Sequence, residues 1–189
     1  MIALAPLGAA SAASISFVPL TSTTVAPGGS FSFQIYGSSV NAIGLFSLYL
    51  TSSASNSQFQ LTSYSINTLL FDDITLNPPL PEDVSSTHTT QDLGSFVTNP
   101  SGLASDTLYL LSTATITVGL GTPDGNYSLG NATTTVFTDP TFTFSDFAPE
   151  SDLAINISSI PEPTTWGLLT AGGLAALIVA RRFRRSAAV

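Results

Sequence analysis

The 189-residue chain has no cysteine, no lysine and a single histidine, His88. Without thiols it has no disulfides, no thiol catalysis and no cysteine-ligated metal. Charged residues make up 8%, against about 25% in an ordinary soluble domain. The charge that exists is lopsided. Twelve acidic residues face four arginines, and all four arginines fall within residues 181–185. Residues 1–160 carry eleven carboxylates and no lysine or arginine, which excludes nucleic acid as a partner on charge grounds. A sustained 3.6-residue period is also missing between residues 14 and 160. The one tryptophan, Trp166, lies beyond that region, so no tryptophan platform for stacking on sugars precedes it.

What is present favours strands. Hydrophobic residues are 43% of the chain, and its polarity comes from 52 serines and threonines. That mixture with Phe, Ile, Val and Tyr suits pleated, half-buried surfaces. Phe31, Phe33 and Ile35 alternate with Ser32 and Gln34, and Phe46, Leu48 and Leu50 alternate with Ser47 and Tyr49. Phe59 and Leu61 followed by Tyr64 and Ile66 slip in phase near Thr62 and Ser63, which predicts a bulge. Ala114, Ile116 and Val118 alternate with threonines within a strong strand at 108–118. Pro27-Gly28-Gly29 reads as a turn, Pro123-Asp124-Gly125-Asn126 as a hairpin turn, and Asn77 to Asp92, with Pro78, Pro79 and Pro81, as a loop. Leu69 to Leu76 is a candidate edge segment. Nine or ten short strands separated by turns predict an all-β, antiparallel two-sheet sandwich of one domain.

The two ends read differently. MIALAPLGAASA ends in Ala10-Ser11-Ala12, an A-x-A cleavage pattern after a short apolar stretch, and residues 1–13 are expected to be a truncated signal peptide. At the other end Pro161-Glu162-Pro163 precedes the uncharged run TTWGLLTAGGLAALIVA and then Arg181, Arg182, Phe183, Arg184 and Arg185. At about 1.5 Å per residue the run at 164–180 reaches about 25 Å, just short of the ~30 Å hydrocarbon core. Arg181 and Arg182 can extend it by snorkelling, and Trp166 suits the opposite interface. A single C-terminal transmembrane helix over 164–180 is therefore expected, with the basic end 181–189 in the cytoplasm and residues 14–160 outside.

These three parts in order resemble a PEP-CTERM sorting domain. The resemblance implies export, an inner-membrane-anchored precursor, recognition of Pro161, Glu162 and Pro163 by an exosortase-like enzyme, and transfer to the cell surface or an exopolysaccharide layer. Two prolines also give a physical reason for the motif, since they restrict the backbone on either side of Glu162. A second resemblance is looser. Val25-Ala-Pro-Gly-Gly-Ser-Phe-Ser-Phe, Ile43-Gly-Leu-Phe-Ser-Leu-Tyr-Leu, and Thr113-Ala-Thr-Ile-Thr-Val followed by Gly125-Asn-Tyr-Ser-Leu are similar to stretches of cohesin-like domains. This implies a jelly-roll sandwich with a binding or structural role. No dockerin repeat accompanies it.

Candidates for chemistry are few. His88 sits in the Ser/Thr-rich loop, and no Gly-x-Ser-x-Gly elbow frames a nucleophile. The pairs Asp72 with Asp73 and Glu82 with Asp83 are candidate calcium ligands but lack the spacing of a calcium loop, and turn carboxylates are the favoured reading. No cofactor is expected. Asn126, Asn131 and Asn156 match the N-glycosylation pattern by coincidence in so Ser/Thr-rich a chain. The expected function is that of a non-enzymatic surface or extracellular-matrix protein. A secreted adhesin or glycan-binding module on the same anchor is the alternative, with an extracellular hydrolase behind both.

Overall fold

The computed structural model describes residues 13–72, 80–148 and 151–159. All but Ser159 belong to the first of two compact units, Met1–Ser158 and Ser159–Val189. The expected leader (Ala13 apart), Asp73, the sorting tripeptide, the apolar span and the arginines lie outside the described residues.

The described residues form strands and turns. The strands are β1 (Ser14–Pro19), β2 (Thr24–Val25), β3 (Ser30–Ser38), β4 (Leu45–Ser47), β5 (Leu50–Ser52), β6 (Phe59–Ile66), β7 (Glu82–Asp83), β8 (Ser95–Phe96), β9 (Tyr109–Val118), β10 (Gly125–Asn131), β11 (Val136–Thr138), β12 (Phe144–Phe147) and β13 (Asp152–Ile157). One layer is a five-stranded sheet in the order β1-β3-β9-β6-β7. The second layer consists of two four-stranded sheets, β2-β13-β10-β5 and β12-β11-β4-β8. Every pairing is antiparallel except β13 with β2.

The two four-stranded sheets are halves of one face. Only Leu48 and Tyr49 separate β4 from β5. Across that gap Ala132 N donates to the Tyr49 carbonyl at 2.8 Å, and Tyr49 N donates to Thr135 Oγ1 at 3.3 Å. The hydroxyl thus stands in for a ladder carbonyl where residues 132–135 leave the strand. The result is the predicted sandwich.

The alternation read from the sequence sets which side chains enter the core. In β3, Phe31, Phe33 and Ile35 are at most 1% exposed, while the intervening Ser32 and Gln34 face outward. Phe46, Phe59, Leu61, Ile116 and Phe137 are also fully buried. The layers interlock through close approaches. A side chain at Gly37 of β3 would meet the Phe137 ring of β11 at 2.7 Å, so a glycine is needed there. The bulge predicted from the phase slip in β6 is present. Pairing with β9 jumps between Leu61 and Ser63, leaving Thr62 to bond sideways to Thr117 Oγ1 at 3.0 Å. Gly28, at φ 83, makes the Pro27-Gly28-Gly29 turn.

Three local expectations change. Pro123–Asn126 is not a hairpin turn. Both edges of β9 are already occupied by β3 and β6, so β10 cannot pair with it and instead enters the second layer beside β13 and β5. Leu69 lies in a turn closed by Leu70 N and Phe71 N on the Asn67 carbonyl, is 88% exposed, and belongs to no strand. Of the predicted edge segment only Phe71 pairs, in a bridge to Val97; residues 73–76 lie outside the described residues. The stretch 81–92 is more ordered than a loop. Glu82–Asp83 forms β7 against Gln60 and Leu61. The rest runs along β5 and β4, fastened by side chains: Leu50 N to Thr90 Oγ1 at 3.0 Å, Ser52 Oγ to the Val84 carbonyl at 2.7 Å, and Leu48 N to Asp92 Oδ1 at 3.0 Å.

Candidate functional site

At one end of the β12-β11-β4-β8 sheet four backbone segments converge. Asp72 N donates to the Phe96 carbonyl at 2.8 Å, Val97 N to the Gly44 carbonyl at 2.9 Å, and Gly44 N to the Thr138 carbonyl at 2.8 Å. The approach is tight, because a Cβ on Gly44 would lie 2.5 Å from Pro140 Cα. Where these segments diverge they leave a cleft of about 250 Å³, lined by Gly44, Asp72, Phe96, Val97, Asn99, Pro100, Pro140 and Phe142.

Two phenylalanines dominate its rim. Phe96 is 41% and Phe142 62% exposed. Their rings meet edge to face, with centroids 5.7 Å apart at 70°. Phe142 has φ 62, a conformation that is a genuine outlier for a bulky side chain. The turn between β11 and β12 enforces it. Asp139 Oδ1 accepts from Thr141 N at 2.9 Å, Thr141 Oγ1 at 2.7 Å and Thr143 N at 3.0 Å, while Phe142 N donates to the Asp139 carbonyl at 3.0 Å. Residues held in sparsely populated backbone conformations cluster at functional sites, ligand clamps among them.

Those bonds, the Thr141 hydroxyl first, hold the Asp139 carboxyl below its ordinary value of 3.8. A depressed folded-state value means that the carboxylate stabilises the turn above 3.8 and that this contribution is lost as pH falls through the lower folded value. The Phe142 ring resonances should therefore shift during acid titration in that window. Asp139→Asn, which keeps the accepting oxygen but cannot titrate there, should abolish the step. A Phe142 ring indifferent to pH from 5 down to about 2 would refute the linkage.

Of the carboxylates singled out from the sequence, Asp73 lies outside the described residues. Among the described residues no group of three or more His, Asp or Glu side chains could hold an ion. Asp83 accepts Ser57 N at 3.0 Å through both oxygens, a turn role. Glu82 is only 8% exposed. Its Oε1 accepts Gln91 N at 2.6 Å and lies 3.9 Å from His88 Nε2, and its Oε2 is buried with no hydrogen-bond partner among the described residues. The Ser85 hydroxyl donates to Asn56 Oδ1 at 2.6 Å and accepts the His88 backbone N–H at 3.1 Å. Asn131 is fully buried, and Asn156 Nδ2 donates to Asn126 Oδ1 at 3.3 Å across β13 and β10. No helix among the described residues is long and apolar enough to cross a membrane.

Sequence reasoning missed the cleft. The one available signal was the order Ser95-Phe96-Val97, where the serine faces inward and the phenylalanine outward.

The sandwich is that of cohesin modules. A cohesin of Clostridium acetobutylicum, solved in solution, superposes with a TM-score of 0.52 at 17% identity, over 79% of this chain and 93% of that one. The third ScaB cohesin of R. flavefaciens, solved with a group 1 dockerin, gives 0.50 at 16% identity over 79% and 99%. The sixth cohesin of scaffoldin B from Acetivibrio cellulolyticus, solved with a Cel5 dockerin, gives 0.50 at 16% identity over 78% and 99%. At these identities the likeness is one of fold. Residues 159–185 match the PEP-CTERM protein-sorting motif. No curated protein matches the chain in sequence.

Proposed function

We propose that the chain is a non-enzymatic exported protein of the cell surface or extracellular matrix. In this reading residues 1–13 belong to a secretory leader, residues 14–160 are an ectodomain used for binding, and residues 161–189 are a sorting tail cut by an exosortase-like enzyme. The observation that carries it is the pairing of a cohesin-type sandwich with a sorting motif at 159–185 on one chain. Cohesins of the same fold are solved in complex with partner domains, which supports binding over catalysis as the work of the sandwich. Exopolysaccharide is the proposed matrix companion. The adhesin or glycan-binding alternative is favoured by one observation, the exposed aromatic cleft.

The test is localisation. In a bacterium carrying an exosortase, the protein should become accessible to added protease on intact cells. In an exosortase deletion strain it should remain with the inner membrane. A protein retained in the cytoplasm of both strains would end this reading.

A further inference from the structure

We infer that the Phe96–Phe142 cleft is a subsite for one ring of a neutral polysaccharide. The inference rests on the reading of the chain as an exported surface protein and names the ligand class of its candidate site.

The cleft's size sets the first limit. Pockets for drug-sized ligands occupy roughly 300–1,000 Å³. At about 250 Å³ this one suits a single ring from a longer chain, with the neighbouring units running out over the surface. Its lining sets the second. Phenyl and proline rings present apolar surface to the C–H face of a pyranose. The polar groups among them are a carboxylate, Asp72, and an amide, Asn99. Asn99 Oδ1 accepts Ser101 N at 3.0 Å, which fixes the flip of the amide and leaves its N–H donors turned away from that bond. An N–H donor beside a carboxylate acceptor matches a sugar hydroxyl, which both donates and accepts. A cationic side chain could use the carboxylate and the rings but not the amide donor. The third limit is charge. Residues 1–160 carry no lysine or arginine, so nothing in the surrounding field attracts an anionic glycan such as a uronate polymer.

The conformation of Phe142 argues in the same direction. Its backbone is strained while the residue stays 62% exposed, so the strained turn leaves most of it uncovered outside its contact with Phe96. A ligand covering both rings would bury it.

The test titrates the full chain, held in a zwitterionic detergent, with neutral disaccharides of glucose, galactose, mannose and N-acetylglucosamine. Alginate serves as the anionic comparison and triarginine as the cationic one. At least one neutral disaccharide should bind in about the millimolar range or tighter. Phe96→Ala and Phe142→Ala should each weaken it at least about fivefold, in line with the loss of one aromatic contact. Asn99→Ala should weaken it as well. Phe96→Ala sits at an exposed strand position, so it remains a valid test should Phe142→Ala disturb its turn. Absence of binding by every neutral sugar at about 10 mM, unchanged binding in a natively melting Phe96→Ala protein, or a preference for alginate or triarginine would each overturn the inference. Protease accessibility on intact cells keeps the two readings apart. A surface-exposed protein that binds no neutral sugar sinks the subsite alone, whereas a protein that never leaves the cytoplasm sinks the surface reading.

Discussion

Phe46→Ala is expected to destabilise the sandwich by about 3–5 kcal/mol, the range for removing a fully buried phenylalanine. Phe46 is 0% exposed and packs where β4 meets the segment around Phe71. Its ring meets Phe71 edge to face at 4.9 Å and Phe137 at 6.5 Å. Phe71 belongs to no strand, and its segment is held by the bridge to Val97, by Asp72 N on the Phe96 carbonyl at 2.8 Å, by Thr98 N on the Leu70 carbonyl at 3.0 Å and by the turn at Asn67. The site collapses poorly, because the backbone beside it is already in contact: a Cβ on Gly94 would lie 1.9 Å from the Phe46 carbonyl oxygen. A stability of about 5–15 kcal/mol is typical of a domain, so the loss would move the urea midpoint by a large fraction with little change in slope. Phe96→Ala is the internal control. Its ring is 41% exposed, and surface changes usually stay within about 0.5 kcal/mol. Equal midpoints for the two variants would show that the layer is not organised around Phe46.

The contrast between Phe46 and Phe96 marks how far the sequence could be read. Period-two alternation identified β3, β4, β6 and β9 because one face of each is buried and the other carries Ser, Thr or Gln. The slip at Thr62 was legible for the same reason: a bulge leaves a phase error in the pattern itself. Pairing partners were not legible. Pro123–Asn126 has the composition of a hairpin turn, but whether two flanking strands pair depends on who already occupies their edges, and β3 and β6 are distant in sequence from that turn. The stretch 81–92 looked like a loop since its order comes from Thr90, Ser52 and Asp92 bonding to backbone groups far along the chain, which has no local signature. The cleft needed the same kind of knowledge. Phe96 and Phe142 come together only when β4 lies between β8 and β11, and Phe142 turns outward only because Asp139 fixes its turn.

The sorting tail gives the prediction with the largest effect on function. Its proposed action divides into two steps with different physical demands. The apolar run at 164–180 and the four arginines stop translocation and set orientation by hydrophobic transfer and charge, which needs no specific enzyme. In this proposal Pro161-Glu162-Pro163 is then recognised outside, its two prolines restricting the backbone on either side of Glu162. Gly172 and Ala176 have the small-x-x-x-small spacing that lets membrane helices pack closely. Glu162→Ala, or both prolines changed to alanine, should leave insertion intact and abolish processing, so that full-length precursor accumulates in the inner membrane. Replacing Arg181, Arg182, Arg184 and Arg185 with neutral residues should instead weaken the stop and scramble topology, because each cytoplasmic arginine opposes transfer to the far side. Membrane fractionation with an antibody to the sandwich separates the two outcomes: a larger membrane-bound band for the first, and a mixture of orientations in protease protection for the second. A Glu162→Ala protein processed and released at the rate of the unaltered chain would place recognition elsewhere and remove Pro161, Glu162 and Pro163 from the sorting step.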